Sequence, residues 1–362
     1  MESLELKVSF DVPVFSPKLP SGKSVSLYFE RIEKTRIYTN FGPLERELRS
    51  RLADYLGLPM ENLVATSNAT VALEGAIETS LSRGSWGLPS WTFTATASSL
   101  ARSGNAGEFL DVRDDWRATI PSNIENFLDV APFGTSMRNP IEFDSTQLEC
   151  LISDVAASFD TLKGVIMPTH VRAAGILSFH ATKVLPGAEG GLFFSNDLEW
   201  AERFRSWSKF GMTNTRVSEN VGTNAKLSEY HAALVLASLD NYQTDRVLWL
   251  KQQIRANDLT TRYGLIHQPN FKLGDISPYW IISLKTQAER DKLVDVFANH
   301  AIQTRLWWEN GCHSMPAYHN FSSGDLPKTN QIASTTVGLP FWIDMSDVVW
   351  EKIEKALIDF RN

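Results

Sequence analysis

The chain has 362 residues, of which 43% are hydrophobic, and its formal charge of −7 comes from 35 basic and 42 acidic side chains. A chain of this length is expected to form a large domain of mixed α/β type and a smaller second domain. The sequence has no basic block, no apolar run of about 18 residues and no charged segment followed by an apolar one at its start, which argues against a nucleic-acid-binding surface, a membrane-spanning helix and a signal peptide.

A helix is predicted over residues 43–57. Pro43 suits a first helical position, leucines recur on one face of the segment, and Gly57 is a suitable C-cap. Before this helix, residues 1–40 indicate an extended arm with a short helix. After it, residues 63–78 indicate a strand that turns directly into a helix.

Short apolar runs bounded by turn residues are predicted to be buried strands. They lie at 107–112, 126–130, 150–154, 164–168, 175–179 and 190–195. A loop followed by a helix is predicted over 89–103. Because strands alternate with helices, we predict an α/β fold with a mostly parallel sheet covered by helices on both faces.

A long helical pattern without proline or glycine covers residues 226–260 and is predicted to lead into the second domain. We expect residues 1–244 to form the N-terminal arm and the large domain, and residues 245–362 to form the small C-terminal domain. The small domain has an apolar run at 279–284, and its helices are predicted at 289–300 and near 345–361.

Lys183 stands after an apolar run and just before the glycine-rich stretch LPGAEGG. This position predicts a place at the carboxyl edge of the sheet, where α/β folds keep their sites. A lysine amine there can hold pyridoxal 5′-phosphate (PLP) as an imine and move protons at the substrate carbon. A lysine considered by itself is more often a solvated surface charge, so the assignment depends on its neighbours.

Several other positions fit the same cofactor. Asp154 ends a predicted strand and could pair with the pyridine nitrogen, although a helix N-cap is a common role for such an aspartate. The turn 67–70 leads into a helix whose N-terminus favours a phosphate, and Ser178 offers a hydroxyl group. Trp91 or Phe93 could pack on the cofactor ring, although a place in the core is the commoner role of a loop aromatic.

The order of these segments resembles the DegT/StrS group of sugar aminotransferases, which have the aspartate aminotransferase-like fold. The most specific segment is SFHATKVLPGAEGGLFFSND at 178–197. The other matching segments are TNFGPLERELRSRLADYLGL (39–58), SNATVAL (67–73), PSWTFTATA (89–97), FLDV (109–112), SDVAASF (153–159), VGTNAKLSEYHAAL (221–234) and QTRLWWENGCHSMPAYHN (303–320). The resemblance implies a fold-type-I PLP enzyme, with a large α/β domain and a smaller α+β C-terminal domain.

The resemblance also implies a role for each matching residue. Lys183 would form the Schiff base with PLP and act as general base and acid, and Asp154 would pair with the ring nitrogen. Phe93 and Ala156 would lie against the two faces of the ring. The phosphate would be bound by Ala69, Thr70 and Ser178, and by Asn224 from the other subunit of a homodimer. Further candidates for substrate contacts are Glu189, Lys226, Trp307 and His313.

The implied reaction moves an amino group from glutamate or glutamine to C3 or C4 of a nucleotide-linked keto-deoxysugar, which makes an amino sugar for a surface polysaccharide such as O-antigen or for a natural product. Two alternatives stay open, namely an aminotransferase for a cyclitol or another ketone and a non-catalytic relative. A dehydratase of the same fold would carry histidine at Lys183. Cys150 and Cys312 have no metal-like spacing and imply no disulfide framework, so we expect a cytoplasmic protein without a metal.

The departures from the family pattern lie around the predicted pocket. Ala157 stands where the family usually has glutamine or histidine close to the phenolic oxygen of PLP, and alanine cannot donate a hydrogen bond. Ala131 replaces a frequent histidine, Thr223 and Ala225 replace tyrosines, and Lys226 replaces an arginine. We therefore expect an atypical sugar pocket.

Overall fold

A central eight-stranded sheet organises the computed structural model, which describes residues 10–144 and 146–362. The strands of the chain are β1 (Leu63–Thr66), β2 (Trp86–Pro89), β3 (Gly107–Leu110), β4 (Asn126–Val130), β5 (Cys150–Asp154), β6 (Arg172–Ser178), β7 (Gly191–Ser195), β8 (Ile266–His267), β9 (Trp280–Ser283), β10 (Ser322–Ser323) and β11 (Thr336–Leu339). The large sheet has the order β1-β7-β6-β5-β4-β2-β3-β10. Its pairs are parallel except those that β7 makes with β1 and β6, so the predicted mostly parallel sheet is confirmed.

Helices cover both faces of this sheet. They are α1 (Gly22–Thr35), α2 (Pro43–Leu56), α3 (Ala69–Thr79), α4 (Thr94–Arg102), α5 (Leu198–Trp207), α6 (Glu229–Arg262), α7 (Gln287–Asn299), α8 (Pro327–Thr335) and α9 (Asp347–Arg361). Successive side chains of a strand point to opposite faces. In β7, Leu192 and Phe194 pack into the hydrophobic cluster that includes α2 and α6, whereas Phe193 packs into the one that includes α3, α4 and α5. Both faces are therefore apolar, which explains the continuous hydrophobic runs of the central strands.

The predicted helix over 43–57 is confirmed, both in the leucine face that it buries and in the glycine that ends it. Leu44 and Leu48, like the later leucines of that face, are fully buried in α2. Gly57 has a φ of 73° and donates its N–H to the carbonyl of Ala53 at 2.8 Å. The left-handed backbone conformation that ends a helix is least strained for glycine, which has no Cβ. Gly57 therefore ends α2 at this position.

One predicted strand is wrong, and six elements were not predicted, namely β2, β8, β10, β11, α5 and α8. Residues 164–168 form a turn and loop, in which Gly164 has a φ of 63° and Ile166 is exposed. Among the described residues this run pairs with no strand, although its Met167 packs into the hydrophobic core. Strand β2 was missed because its sequence WGLP contains both glycine and proline, and helix α5 was missed as well.

The C-terminal part of the chain builds a second sheet with the order β11-β9-β8, which is antiparallel. Helix α6 runs without interruption past residue 244, and β10 returns to the large sheet beside β3. The division into 1–244 and 245–362 stays a prediction. Within the described residues, none of the helices combines the length and apolar character that crossing a bilayer requires.

Candidate active site

A cavity of about 590 Å³ opens at the edge of the large sheet where strands β4, β5 and β6 end. Val130, Asp154 and Ser178 are the last residues of these three strands, and all of them line the cavity. The strands are parallel, so their carboxyl ends meet at a single edge. The topology therefore brings together side chains that are far apart in the sequence.

Lys183 enters the cavity from the loop after β6. Its Nζ donates a hydrogen bond to the hydroxyl oxygen of Tyr279 at 2.8 Å and lies 5.3 Å from the centre of that ring. The lysine forms no ion pair with a carboxylate in the described part of the chain. A primary amine at this place in the cavity can react with an aldehyde.

Asp154 lies at the bottom of the cavity, where its residue is only 8% exposed. Its Oδ2 accepts a hydrogen bond from the Thr96 hydroxyl at 2.8 Å, and its Oδ1 accepts one from the N–H of Ala156 at 3.1 Å. Burial raises the pKa of this carboxyl above its ordinary value, although both hydrogen bonds and the charge of Lys183 act against the rise. A buried carboxylate of this kind is stabilised when a cation, such as a protonated pyridine nitrogen, faces it.

The amino-terminal end of α3 borders the cavity and offers an anion site. Ala69 and Thr70 line it, and Asn68 caps the helix by accepting the N–H of Val71 at 2.9 Å. A Cβ at Gly191 would lie 2.6 Å from the carbonyl of Asn68. The second glycine of the EGG motif therefore lets β7 lie directly against this turn, whose N–H groups could bind a phosphate.

The predicted ring-stacking position falls on Phe93, which lines the cavity and is 55% exposed. Ala156 lines it as well. Trp91, the other aromatic considered, is fully buried outside the lining and packs edge-on against Trp308 at 5.0 Å. Of the two aromatics, Phe93 is therefore the one that a cofactor ring could contact.

An aromatic wall lines part of the cavity. It consists of Phe15, Phe133, Tyr279, Trp307 and Trp308. The rings of Phe133 and Trp308 are stacked at 4.5 Å with 5° between their planes. Of these five rings sequence reasoning named Trp307 but missed others, because a single aromatic within an apolar or loop segment carries no signal that separates a pocket wall from a core.

Arg305 stands at the rim of this wall, and sequence reasoning missed it too. Its guanidinium carbon lies 4.9 Å from the ring centre of Trp307 and 5.8 Å from that of Phe15. Among the described residues it forms no ion pair with an acidic side chain. A guanidinium that is held by aromatic rings and lacks a carboxylate is suited to bind an anionic group of a ligand.

Of the other residues predicted to contact the substrate, some line the cavity and others lie outside it. Trp307 and Glu189 line the cavity. His313 lies outside it and pairs with the Ser90 hydroxyl through Nδ1 at 2.7 Å, while burial lowers its pKa. Its predicted contact with a substrate therefore has no support in this geometry.

Asn224 and Lys226 also lie outside the cavity of their own chain. Their segment pairs with the phosphate turn, since the N–H of Ser67 donates to the carbonyl of Ala225 at 2.7 Å. Asn224 is exposed, and the Lys226 ammonium lies 5.0 Å from the ring centre of Phe210. Their predicted contact with the site of another subunit stays a prediction.

The cavity fits PLP in three independent respects. It holds the Lys183 amine, a buried carboxyl with a raised pKa and a helix N-terminus that favours an anion. These groups match the aldehyde, the ring nitrogen and the phosphate of the cofactor. These residues thus account for three of the polar groups of PLP, and its phenolic oxygen is the one that they leave open.

Comparison with known proteins assigns the chain to one family. The model of the DegT/DnrJ/EryC1/StrS aminotransferase family matches residues 22–130 and 145–357. Protein Rv3402c of Mycobacterium tuberculosis is 29% identical over 360 residues, covering 91% of this chain and 85% of that protein. The dTDP-4-amino-4,6-dideoxy-D-glucose transaminase of Shigella dysenteriae is 25% identical, covering 96% of this chain and 99% of the transaminase.

Solved structures agree with the fold. A Bacillus cereus ATCC 10987 protein proposed to be a PLP-dependent aminotransferase superposes with a TM-score of 0.82 at 25% identity, covering 96% of this chain and 99% of that one. DesI, crystallised with its TDP-sugar product, superposes with a TM-score of 0.83 at 24% identity, covering 98% of this chain and 94% of DesI. The fold is therefore that of fold-type-I PLP aminotransferases.

Proposed function

This chain belongs to the DegT/DnrJ/EryC1/StrS aminotransferase family, whose cofactor is PLP, and from that premise we propose that it moves an amino group from glutamate or glutamine to C3 or C4 of a nucleotide-linked keto-deoxysugar. The observation that carries the proposal is the meeting of Lys183 and Asp154 in one large cavity. The aromatic wall and the Arg305 guanidinium also line that cavity, where a sugar nucleotide could lie. The product would be an amino sugar for a surface polysaccharide or a natural product.

In the proposed reaction several polar residues of the cavity have defined roles. PLP supplies the electron sink that stabilises negative charge at the carbon bearing the amino group. Lys183 attaches the cofactor and afterwards carries a proton to and from that carbon. Asp154 keeps a proton on the ring nitrogen, and Ser178 with the N–H groups at Ala69 and Thr70 holds the phosphate. Phe93 and Ala156 set the plane of the ring.

The test of the function is an assay with purified protein and PLP. Protein mixed with glutamate should lose the visible band of its lysine-bound cofactor, and a dTDP-linked 4-keto-6-deoxyhexose should restore the band as amino sugar forms. Bleaching by glutamate followed by recovery only with a cyclitol ketone would favour the alternative substrate class. A band that no amino donor changes would identify a non-catalytic relative.

Arg305 should matter for the anionic substrate. Replacing Arg305 by Ala is expected to raise KM for the sugar nucleotide or the amino donor by about 10- to 100-fold, because one charge-assisted hydrogen-bonding group is lost. The kcat should change much less. Steady-state kinetics that vary each substrate in turn would show which of the two it binds.

Arg305→Lys is the matched variant for this prediction. It keeps the positive charge but loses the planar fork, so a partial rise in KM is expected. An unchanged KM for both substrates in Arg305→Ala would contradict the proposed role of the guanidinium.

We also propose a homodimer with shared sites. The surface around Asn224 exposes several large apolar side chains, which are unusual on a free surface. They are Ile37, Tyr38, Phe210, Val217, Val221 and Tyr230. A second copy covering them would bring Asn224 of one subunit towards the phosphate site of the other.

Mixed dimers test this arrangement. Neither Lys183→Ala nor Asn224→Asp should be active alone, the second because a carboxylate would repel the cofactor phosphate. Co-expressed subunits should regain activity, because each mixed dimer has one site with neither change. Activity that does not return in isolated mixed dimers would show that the sites are not shared.

We propose the cytoplasm as the location. Cys150 and Cys312 are both buried and unpaired, which fits a reducing compartment.

A further inference from the structure

We propose that the Tyr279 hydroxyl replaces the missing glutamine or histidine at Ala157 and donates a hydrogen bond to the phenolic oxygen of PLP. This inference rests on the proposed function of Lys183 as the cofactor-bearing lysine. It assigns a task to a side chain that the family pattern does not mark and that lies 96 residues away from the lysine in sequence.

Tyr279 and Ala157 both line the cavity. A Cβ at Gly134 would lie 2.8 Å from the carbonyl oxygen of Ala157 and 3.0 Å from the hydroxyl oxygen of Ser277. The Ser277 hydroxyl donates to the carbonyl of Phe133 at 2.6 Å and accepts the N–H of Tyr279 at 3.3 Å. The segment that carries Tyr279 is thus tied to the loop that covers Ala157.

The ring of Tyr279 is fixed by other aromatic rings. Its centre lies 5.6 Å from that of Phe133, 5.6 Å from that of Trp307 and 5.7 Å from that of Phe15, in edge-to-face contacts. Packing on several sides leaves the ring few alternative rotamers. The hydroxyl is therefore held in place, and Lys183 is its hydrogen-bond partner among the described residues.

The chemistry of PLP connects this hydroxyl to the phenolic oxygen. That oxygen is bonded to the ring carbon next to the one that bears the aldehyde, so it lies beside the lysine nitrogen once the two are joined. A group within 2.8 Å of Lys183 Nζ is consequently close to the phenolic oxygen as well. Small Ala157 leaves that oxygen without a donor from the usual side, and the phenol of Tyr279 can supply one.

The hydrogen bond has a measurable consequence. A donor to the phenolic oxygen takes up part of its negative charge, so the oxygen holds the proton on the neighbouring lysine–cofactor nitrogen less tightly. Tyr279→Phe removes the donor without changing the ring. We expect the pH midpoint at which the visible band changes to rise by about one unit in that variant.

A rescue variant separates this role from a structural one. Adding Ala157→Gln to Tyr279→Phe should lower the midpoint again, because the amide donates from the side used elsewhere in the family. Tyr263→Phe is the matched control, since its hydroxyl contacts Glu354 outside the cavity and its loss should not move the midpoint. Thermal unfolding of each variant checks that the fold is kept.

The outcomes are distinct. A higher midpoint in Tyr279→Phe that Ala157→Gln reverses supports the inference. A midpoint equal to that of the unchanged protein, or an equal rise in Tyr263→Phe, overturns it while the proposed function stands. A protein that shows no lysine-bound cofactor band at any pH overturns the proposed function of Lys183 and this inference together.

Discussion

Replacing Lys183 by Ala is expected to reduce the rate of amino transfer by about 10⁴-fold or more. The variant would lose both the covalent attachment of PLP and the group that moves the proton at the reacting carbon. Among the described residues its one side-chain hydrogen bond, to the Tyr279 hydroxyl, lies at the cavity, so the fold should persist. Single-turnover kinetics and the visible spectrum of the purified variant measure the loss.

Chemical trapping gives an independent readout of the same assignment. Borohydride reduction of the unchanged protein should fix the cofactor to the peptide that contains Lys183, as seen by mass spectrometry. Lys163→Ala, at an exposed position outside the cavity, is the matched control and should keep both the label and the activity. A label on any other lysine would contradict the assignment.

Asp154→Asn is expected to lower the rate by about 10³-fold, because the protonated ring nitrogen would lose a buried ionic partner. The amide has nearly the same shape, so the acceptor site for the Thr96 hydroxyl is kept. The cofactor should also bind more weakly. Rates at saturating PLP, together with the dissociation constant of PLP, separate the two effects.

Two further variants serve as controls for this prediction. Thr96→Val removes one hydrogen bond to the carboxyl but leaves the charge, so a much smaller loss is expected. Asp197→Asn changes an aspartate that caps α5 outside the cavity and should leave the rate almost unchanged. Full activity of Asp154→Asn would rule out the proposed pairing with the ring nitrogen.

Sequence reasoning succeeded best where local rules decide the structure. Helix α2 begins at Pro43 and ends before Gly57 as predicted, since proline and glycine restrict the backbone directly. It failed at residues 164–168, where hydrophobicity indicated a strand but the chain lacks a neighbour to pair with. A strand forms only where a second segment is placed to pair with it, and the sequence of one segment does not contain that information.

The sequence likewise identified some residues of the candidate site and missed or misplaced others. The order of motifs along the chain pointed to Lys183 and Asp154, and the fold places both in one cavity. It also indicated His313, which the fold turns towards Ser90 instead. Tyr279 and Arg305 were not recognised, because each lies within an apolar or aromatic run that is typical of a core.

The sequence by itself determined the fold class, the family and the cofactor. These follow from local hydrophobic patterns and from the order of motifs along the chain, both of which a single sequence contains. Only the tertiary structure decided which aromatic ring faces the cavity and that the Tyr279 hydroxyl meets Lys183. Such contacts join residues far apart in sequence, and their geometry is set by how the two sheets and α6 pack together.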